Sequence, residues 1–112
     1  MTPLIVYVKH YLTPEGISYF EKDWFLEVLA FMSQQEGYLS CTYQISGDCI
    51  DITIKFKDEP TFDAYADVPE HNQLAKMLDR YRSRNYWEAV RTTDPEAALA
   101  SLEWDVIDPA CY

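Results

Sequence analysis

Two stretches near the middle of the chain alternate between apolar and polar residues. From Leu39 to Ile45 the apolar positions are Leu39, Cys41, Tyr43 and Ile45, with Ser40, Thr42 and Gln44 between them. From Ile50 to Phe56 they are Ile50, Ile52, Ile54 and Phe56, with Asp51, Thr53 and Lys55 between. A period of two marks a strand with one covered face. Ser46-Gly47-Asp48-Cys49 joins the stretches, and Gly-Asp predicts a two-residue hairpin loop with glycine first. That loop opposes Ile45 to Ile50, Tyr43 to Ile52 and Cys41 to Ile54, so all the apolar residues share one face. A slip of one residue would scatter them. Cys41 and Cys49 then sit on separate rungs, which argues against a disulfide between them.

Leu4 to Leu12 begins apolar on both faces and turns polar at Lys9 and His10, predicting a strand buried for most of its length. Thr13-Pro14-Glu15-Gly16 is a helix start, with Thr13 as N-cap and Pro14 in the first helical position. Ile17, Phe20, Trp24, Val28 and Phe31 then recur at spacings of three and four. They predict an amphipathic helix of about five turns closed by Gly37 as C-cap. Further on, a short helix is expected over Asp58 to Asp67 and a second over Glu70 to Arg82, with Asp67 as its candidate N-cap. A fourth strand is expected over Asn85 to Thr93. Asp94-Pro95-Glu96 opens a predicted helix through Ala97 to Leu102, followed by an acidic tail from Glu103 to Tyr112. Strand, helix, strand, strand, helices, strand is an α+β order. It is the ferredoxin-like split β-α-β arrangement, a four-stranded antiparallel sheet with helices on one face. Residues 1–93 read as one domain and 94–112 as a C-terminal extension of helix plus acidic tail.

Charge narrows the function. Nine Lys and Arg face 19 Asp and Glu, a formal net charge of −10, so the clustered cations needed to hold phosphates or an anionic membrane surface are lacking. Nucleic acid and membrane are therefore not expected partners. Apolar runs fall short of a membrane span and the N-terminus lacks the pattern of a signal peptide. Three cysteines without C-x-x-C spacing fit a reducing cytoplasm. Glycine-rich phosphate loops and paired-histidine metal spacings are missing, as is a G-x-S-x-G nucleophile turn, so the residues call for no cofactor. The basic run Arg80, Arg82, Arg84 reads as a solvated helix end.

Several local words, in order, resemble the antibiotic biosynthesis monooxygenase family. They are the opening strand running into Thr13-Pro14-Glu15-Gly16, then Gln35-Glu36-Gly37-Tyr38-Leu39-Ser40, then Ile54-Lys55-Phe56-Lys57-Asp58-Glu59. The run from Phe62 through Tyr65 and His71 to Gln73 completes the set, and together they span roughly residues 4 to 92. The resemblance implies a dimeric α/β barrel: two protomers whose sheets face each other, each with a pocket between sheet and helices. Relatives include quinol and anthrone oxygenases, haem-degrading enzymes and isomerases. This chain departs from them where they often carry Trp (here Phe56) and His (here Tyr65). The Asn, Trp and His of the haem-degrading branch fall near His10 or Lys9, Phe56 and Gln73, which disfavours haem degradation.

On this pattern Val6, Val8, His10, Tyr43, Ile52, Ile54 and Phe56 face the helices and meet Trp24, Val28, Phe31, Tyr65 and Leu74. Rings with a few polar tips suit a planar polycyclic substrate. His10 is the candidate proton acceptor, against the plainer reading of a half-exposed histidine beside a loop. Tyr43 and Tyr65 are candidates to orient oxygen atoms. Trp24, Phe31 and Phe56 would clamp the rings, with His71 near the pocket mouth. The expectation is a cofactor-independent monooxygenase, a homodimer, acting with O₂ on an electron-rich aromatic of hydroquinone or anthrone type. The alternative is a non-catalytic dimeric module that binds a small apolar ligand or a protein partner.

Overall fold

The computed structural model describes residues 2–109, so Cys111 lies outside the described residues. The two-residue turn does set the hairpin. Strand β2 (Tyr38–Ser46) pairs with β3 (Cys49–Phe56) with Ile45 opposite Ile50, Tyr43 opposite Ile52 and Cys41 opposite Ile54. Gly47 takes φ +61° and no other residue of the turn has positive φ, the conformation expected for glycine at the first central position. Cys41 and Cys49 are free thiols. One position departs from the alternation. The register shifts between Tyr38 and Ser40, so Tyr38 faces Phe56 while Leu39 is thrown outward, 52% exposed. A bulge puts one extra residue into a strand, and here it turns out a side chain that the period of two places inside.

Strand β1 (Leu4–Tyr11) lies between β3 and β4 (Trp87–Thr92), antiparallel to both. The sheet has five strands, not four, in the order β2-β3-β1-β4-β5, with β5 formed by Asp105–Ile107. The expected helix of the extension is reduced to a 3₁₀ turn, Leu99–Ser101. The physical reason is the open edge of β4. Asp105, Val106 and Ile107 can alternate across it and satisfy its backbone groups, whereas a six-residue helix of four small residues has little apolar face to bury.

Helices α1 (Pro14–Tyr19) and α2 (Phe25–Met32) form one rod interrupted by a π turn over Phe20–Trp24, where the Phe25 N–H reaches back to the Phe20 carbonyl. Thr13 Oγ1 accepts from the Gly16 N–H at the start, as expected. The rod ends at Met32 with Ser33 as C-cap, five residues short of Gly37. The one-residue π insertion rotates the second half so that Phe20, Trp24, Val28 and Met32 all bury against the sheet. Helix α3 (Glu59–Ala66) is capped by Asp58, whose carboxylate accepts from the Thr61 N–H. Asp67 closes α3 and leaves Val68 to precede α4 (Pro69–Lys76). The predicted second helix thus stops at Lys76, and a 3₁₀ turn, Asp79–Tyr81, follows. Among the described residues no helix is long and apolar enough to cross a membrane.

The core lies between the helices and the inner face of the sheet: Leu4, Val6, Val8, Ile50, Ile52, Ile54 and Phe56 against Phe20, Trp24, Val28, Met32, Phe62 and Tyr65. The outer face is also partly covered. Ile5 and Val90 are buried there, and Trp104 of the extension lies across β1. Its ring centroid is 6.4 Å from that of Tyr7, and Lys9 Nζ stands 4.5 Å from it.

Gly16 shows how tightly the rod meets the 3₁₀ turn. A Cβ added there would lie 2.5 Å from Tyr81 Cβ and 3.1 Å from Leu12 Cβ. Gly16→Ala should therefore cost about 1–3 kcal/mol by overpacking, although alanine is the better helix former. Urea unfolding checks this, and an unchanged midpoint would show that the turn yields freely.

Candidate active site

A cavity of about 250 Å³ opens between the inner face of the sheet and helices α2, α3 and α4. An apolar hole of about 150 Å³ accommodates one benzene ring, so this one suits a larger planar molecule. Val6, Val8, Ile52, Ile54 and Ala89 form its floor, while Trp24, Val28, Met32, Phe62 and Leu74 form its roof. Polar groups are few: His10, Cys41, Tyr65, His71, Arg91 and Asp105.

His10 reaches the cavity because β1 alternates and its inner face runs Val6, Val8, His10. Only 4% of it is exposed. Its ring sits between Trp87, 5.1 Å away, and Trp24, which meets it edge-on at 6.0 Å. Trp24 is itself fixed by an indole N–H donated to the Leu74 carbonyl at 2.7 Å. Arg82 Nη1 stands 3.1 Å from His10 Nδ1, and Arg82 Nε donates to Asp79 Oδ1 at 2.9 Å. The pair is possible because the chain after the 3₁₀ turn runs beside the end of β1. Arg82 forms a bridge with Leu12, and the Ser83 N–H donates to the Tyr11 carbonyl. Burial, reinforced by the Arg82 cation, pulls the His10 pKa down to about 3. Its imidazole is neutral throughout the physiological range.

Tyr65, 3% exposed, is stacked on Phe56 at 5.5 Å and backed by Phe31 at 5.9 Å. Burial raises its phenol pKa, so it stays protonated. The His71 ring meets Tyr65 edge-on at 4.9 Å. Burial lowers the His71 pKa below the usual imidazole value. Its Nδ1 lies 3.4 Å from Asn72 Oδ1; with Nδ1–H donating there, the lone pair is on Nε2. Cys41 is pushed up to about 12 by burial and is a thiol, not a nucleophile. Arg91 pairs with Asp63 at 2.6 Å and Glu59 at 3.4 Å and lies over the Phe62 ring.

Of the residues singled out from the sequence, His10, Trp24, Tyr65 and His71 come together around the cavity. Phe56 and Phe31 stand behind Tyr65 and do not line it. Tyr43 is elsewhere: its ring packs on Phe20 and Phe25, and its hydroxyl donates to Glu21 at 3.3 Å on the surface. The basic run 80–84 has the pattern of a solvated helix end, yet only 4% of the Arg82 side chain is exposed. No local signal marks it, because its partner lies 72 residues away. Asp105 and Ile107 enter the wall through β5, which the sequence did not predict. Among the described residues no group of three His, Cys, Asp or Glu is arranged to hold a metal ion.

No family profile matches the sequence, and no curated protein matches it. Solved structures do. A monooxygenase from the gene ActVA-Orf6 of Streptomyces coelicolor, in complex with the ligand nanaomycin D, superposes with a TM-score of 0.74 at 18% identity, over 88% of this chain and 92% of that one. SnoaB, a cofactor-independent oxygenase from Streptomyces nogalater, gives 0.72 at 13% identity, over 88% and 99%. A structure named antibiotic biosynthesis monooxygenase gives 0.68 at 13% identity, over 85% and 98%. The fold is that of the antibiotic biosynthesis monooxygenases. At these identities the likeness speaks for the antibiotic biosynthesis monooxygenase architecture, and the chemistry rests on the site itself.

Proposed function

We propose that the chain is a cofactor-independent monooxygenase that oxidises an electron-rich aromatic of hydroquinone or anthrone type. The observation that carries this reading is the cavity: larger than one ring, walled by aromatic and aliphatic groups, with two neutral histidines among its few polar groups. A phenol or enol that loses its proton becomes reducing enough to pass an electron to O₂. The two radicals join as a C–O bond, the peroxide anion gains a proton, and loss of water leaves a carbonyl. Each turnover converts CH₂ and O₂ into C=O and H₂O, or the equivalent at an aromatic C–H. The protein contributes a dry, shaped space, an acceptor for one proton and hydrogen bonds to the substrate oxygen.

In this reading His71 takes the role of proton acceptor first expected of His10. Its lone pair is on Nε2, whereas His10 Nδ1 is already engaged by Arg82. Tyr65, held protonated, donates to an oxygen of the substrate, and Trp24 covers the ring system. Phe56 and Phe31 act through Tyr65 by fixing its plane. Tyr43 has no part in the chemistry. The outer face belongs to a second copy, as the family resemblance implies, with the cis-packed Trp104 at the join. Residues 94–112 are the extension, and its Trp104 covers the outer face of the catalytic domain.

Oxygen uptake with anthrone and with a naphthohydroquinone tests the reading. One O₂ should be consumed per product, with one labelled oxygen incorporated from isotopic dioxygen. His71→Asn should lower kcat by about a hundredfold or more. Tight binding of these compounds with no uptake above the protein-free rate would refute the monooxygenase reading and leave a ligand-binding module.

A further inference from the structure

Arg82 has only donors to offer, and a guanidinium does not lose its charge in a protein. Its Nη1 at 3.1 Å from His10 Nδ1 therefore requires the lone pair of His10 at Nδ1 and its proton at Nε2. The other arrangements fail on geometry. An imidazolium would set two cations within hydrogen-bond distance in a buried place, and a ring turned over would press Cδ2–H against a guanidinium N–H. Arg82 is fixed on its far side by Asp79 at 2.9 Å and along its backbone by the bridge to Leu12. The His10 ring is fixed by Trp24 and Trp87. On β3 His10 pairs with Ile50; Arg82 is the charge that acts on its ring, while His71, Arg91 and Asp105 line the same cavity. Nε2 is the nitrogen left for the cavity, and among the described residues no hydrogen bond engages it.

We propose that Arg82 is a positioning residue that fixes His10 as a hydrogen-bond donor, so that the cavity selects planar aromatics carrying an acceptor oxygen over the bare hydrocarbon. This rests on the reading above only in taking the cavity as the place where substrate binds. An aromatic with a carbonyl or phenolate oxygen at Nε2–H satisfies the donor. A hydrocarbon of the same outline takes water from it and leaves it unpaired, the costlier of the two outcomes. Neutral His10 thus acts opposite to a base. It holds the oxygen on which negative charge collects when the proton leaves at His71.

Two measurements on the intact protein test this without turnover. Long-range NMR of the imidazole nitrogens should show His10 as the Nε2–H tautomer near neutral pH and unchanged on acidification to about pH 4.5. In titrations, naphthoquinone should bind at least about tenfold more tightly than naphthalene, and Arg82→Met should erase most of that preference and let His10 populate the Nδ1–H tautomer. An Nδ1–H tautomer, an imidazolium forming near pH 6.5, or equal affinity for the two ligands overturns the proposal. If Arg82→Met does not fold, the wild-type spectra and affinities still decide. Oxygen uptake from a protein with the wrong tautomer would remove this inference and leave the monooxygenase. The right tautomer and preference with no uptake would do the reverse.

Discussion

Phe56→Ala is expected to remove about 3–5 kcal/mol of stability, a large share of the roughly 5–15 kcal/mol that holds a domain of this size folded. Phe56 is fully buried. Its ring stacks on Tyr65 and meets Phe62 and Tyr38 edge-on at 5.3 and 6.1 Å, so truncation opens a hole among three aromatic rings that have little freedom to collapse. The urea midpoint should fall with little change in slope. A loss below about 1 kcal/mol would show that α3 settles into the space. Because Phe56 stands behind Tyr65, surviving folded protein should also bind aromatics more weakly through a loosened Tyr65. That sets it apart from Trp24, which touches the cavity directly.

Acid should weaken the protein before its carboxylates are reached. His10 is held neutral down to about pH 3, against about 6.5 in the unfolded chain. The unfolded state therefore binds the extra proton between those values, and stability falls as pH drops from 6.5 toward 3 and is fully present above 6.5. His71, whose pKa is also lowered by burial, acts in the same direction. His10→Gln isolates the effect, because a glutamine carbonyl can still accept from Arg82 and does not titrate. Between pH 7 and pH 4.5 the wild type should lose about 2–3 kcal/mol more than this variant in urea unfolding. Parallel pH curves for the two proteins would show that His10 is protonated without opening the fold.

What the chain discloses by itself follows from the range of the interactions involved. The hairpin register was legible because turn and alternation are local and agree. The inner face of β1 was legible for the same reason, and with it the arrival of His10, Trp24, Tyr65 and His71 at one place. Local deviations that tertiary packing imposes were not. The π turn at Phe20–Trp24 and the bulge at Leu39 each move one residue against a regular period, and the pattern on either side looks unbroken. Tyr43 obeyed its alternation and still missed the cavity, because Phe20 and Phe25 fill the space above it. Strand β5 and the Arg82–His10 contact depend on segments far apart in sequence. A three-residue strand has too short a pattern to announce itself, and a buried arginine in a basic run looks like its solvated neighbours.

The three tryptophans are divided between the two sides of the sheet. Trp24 and Trp87 flank the buried imidazole, while Trp104 rests on β1 from the opposite side. Their emission consequently separates two events that would otherwise be confounded. An aromatic compound entering the hollow should quench the first two indoles and spare the third, whereas a second molecule meeting the sheet should alter the third and spare the others. Single Trp→Phe replacements turn the protein into its own two-channel reporter.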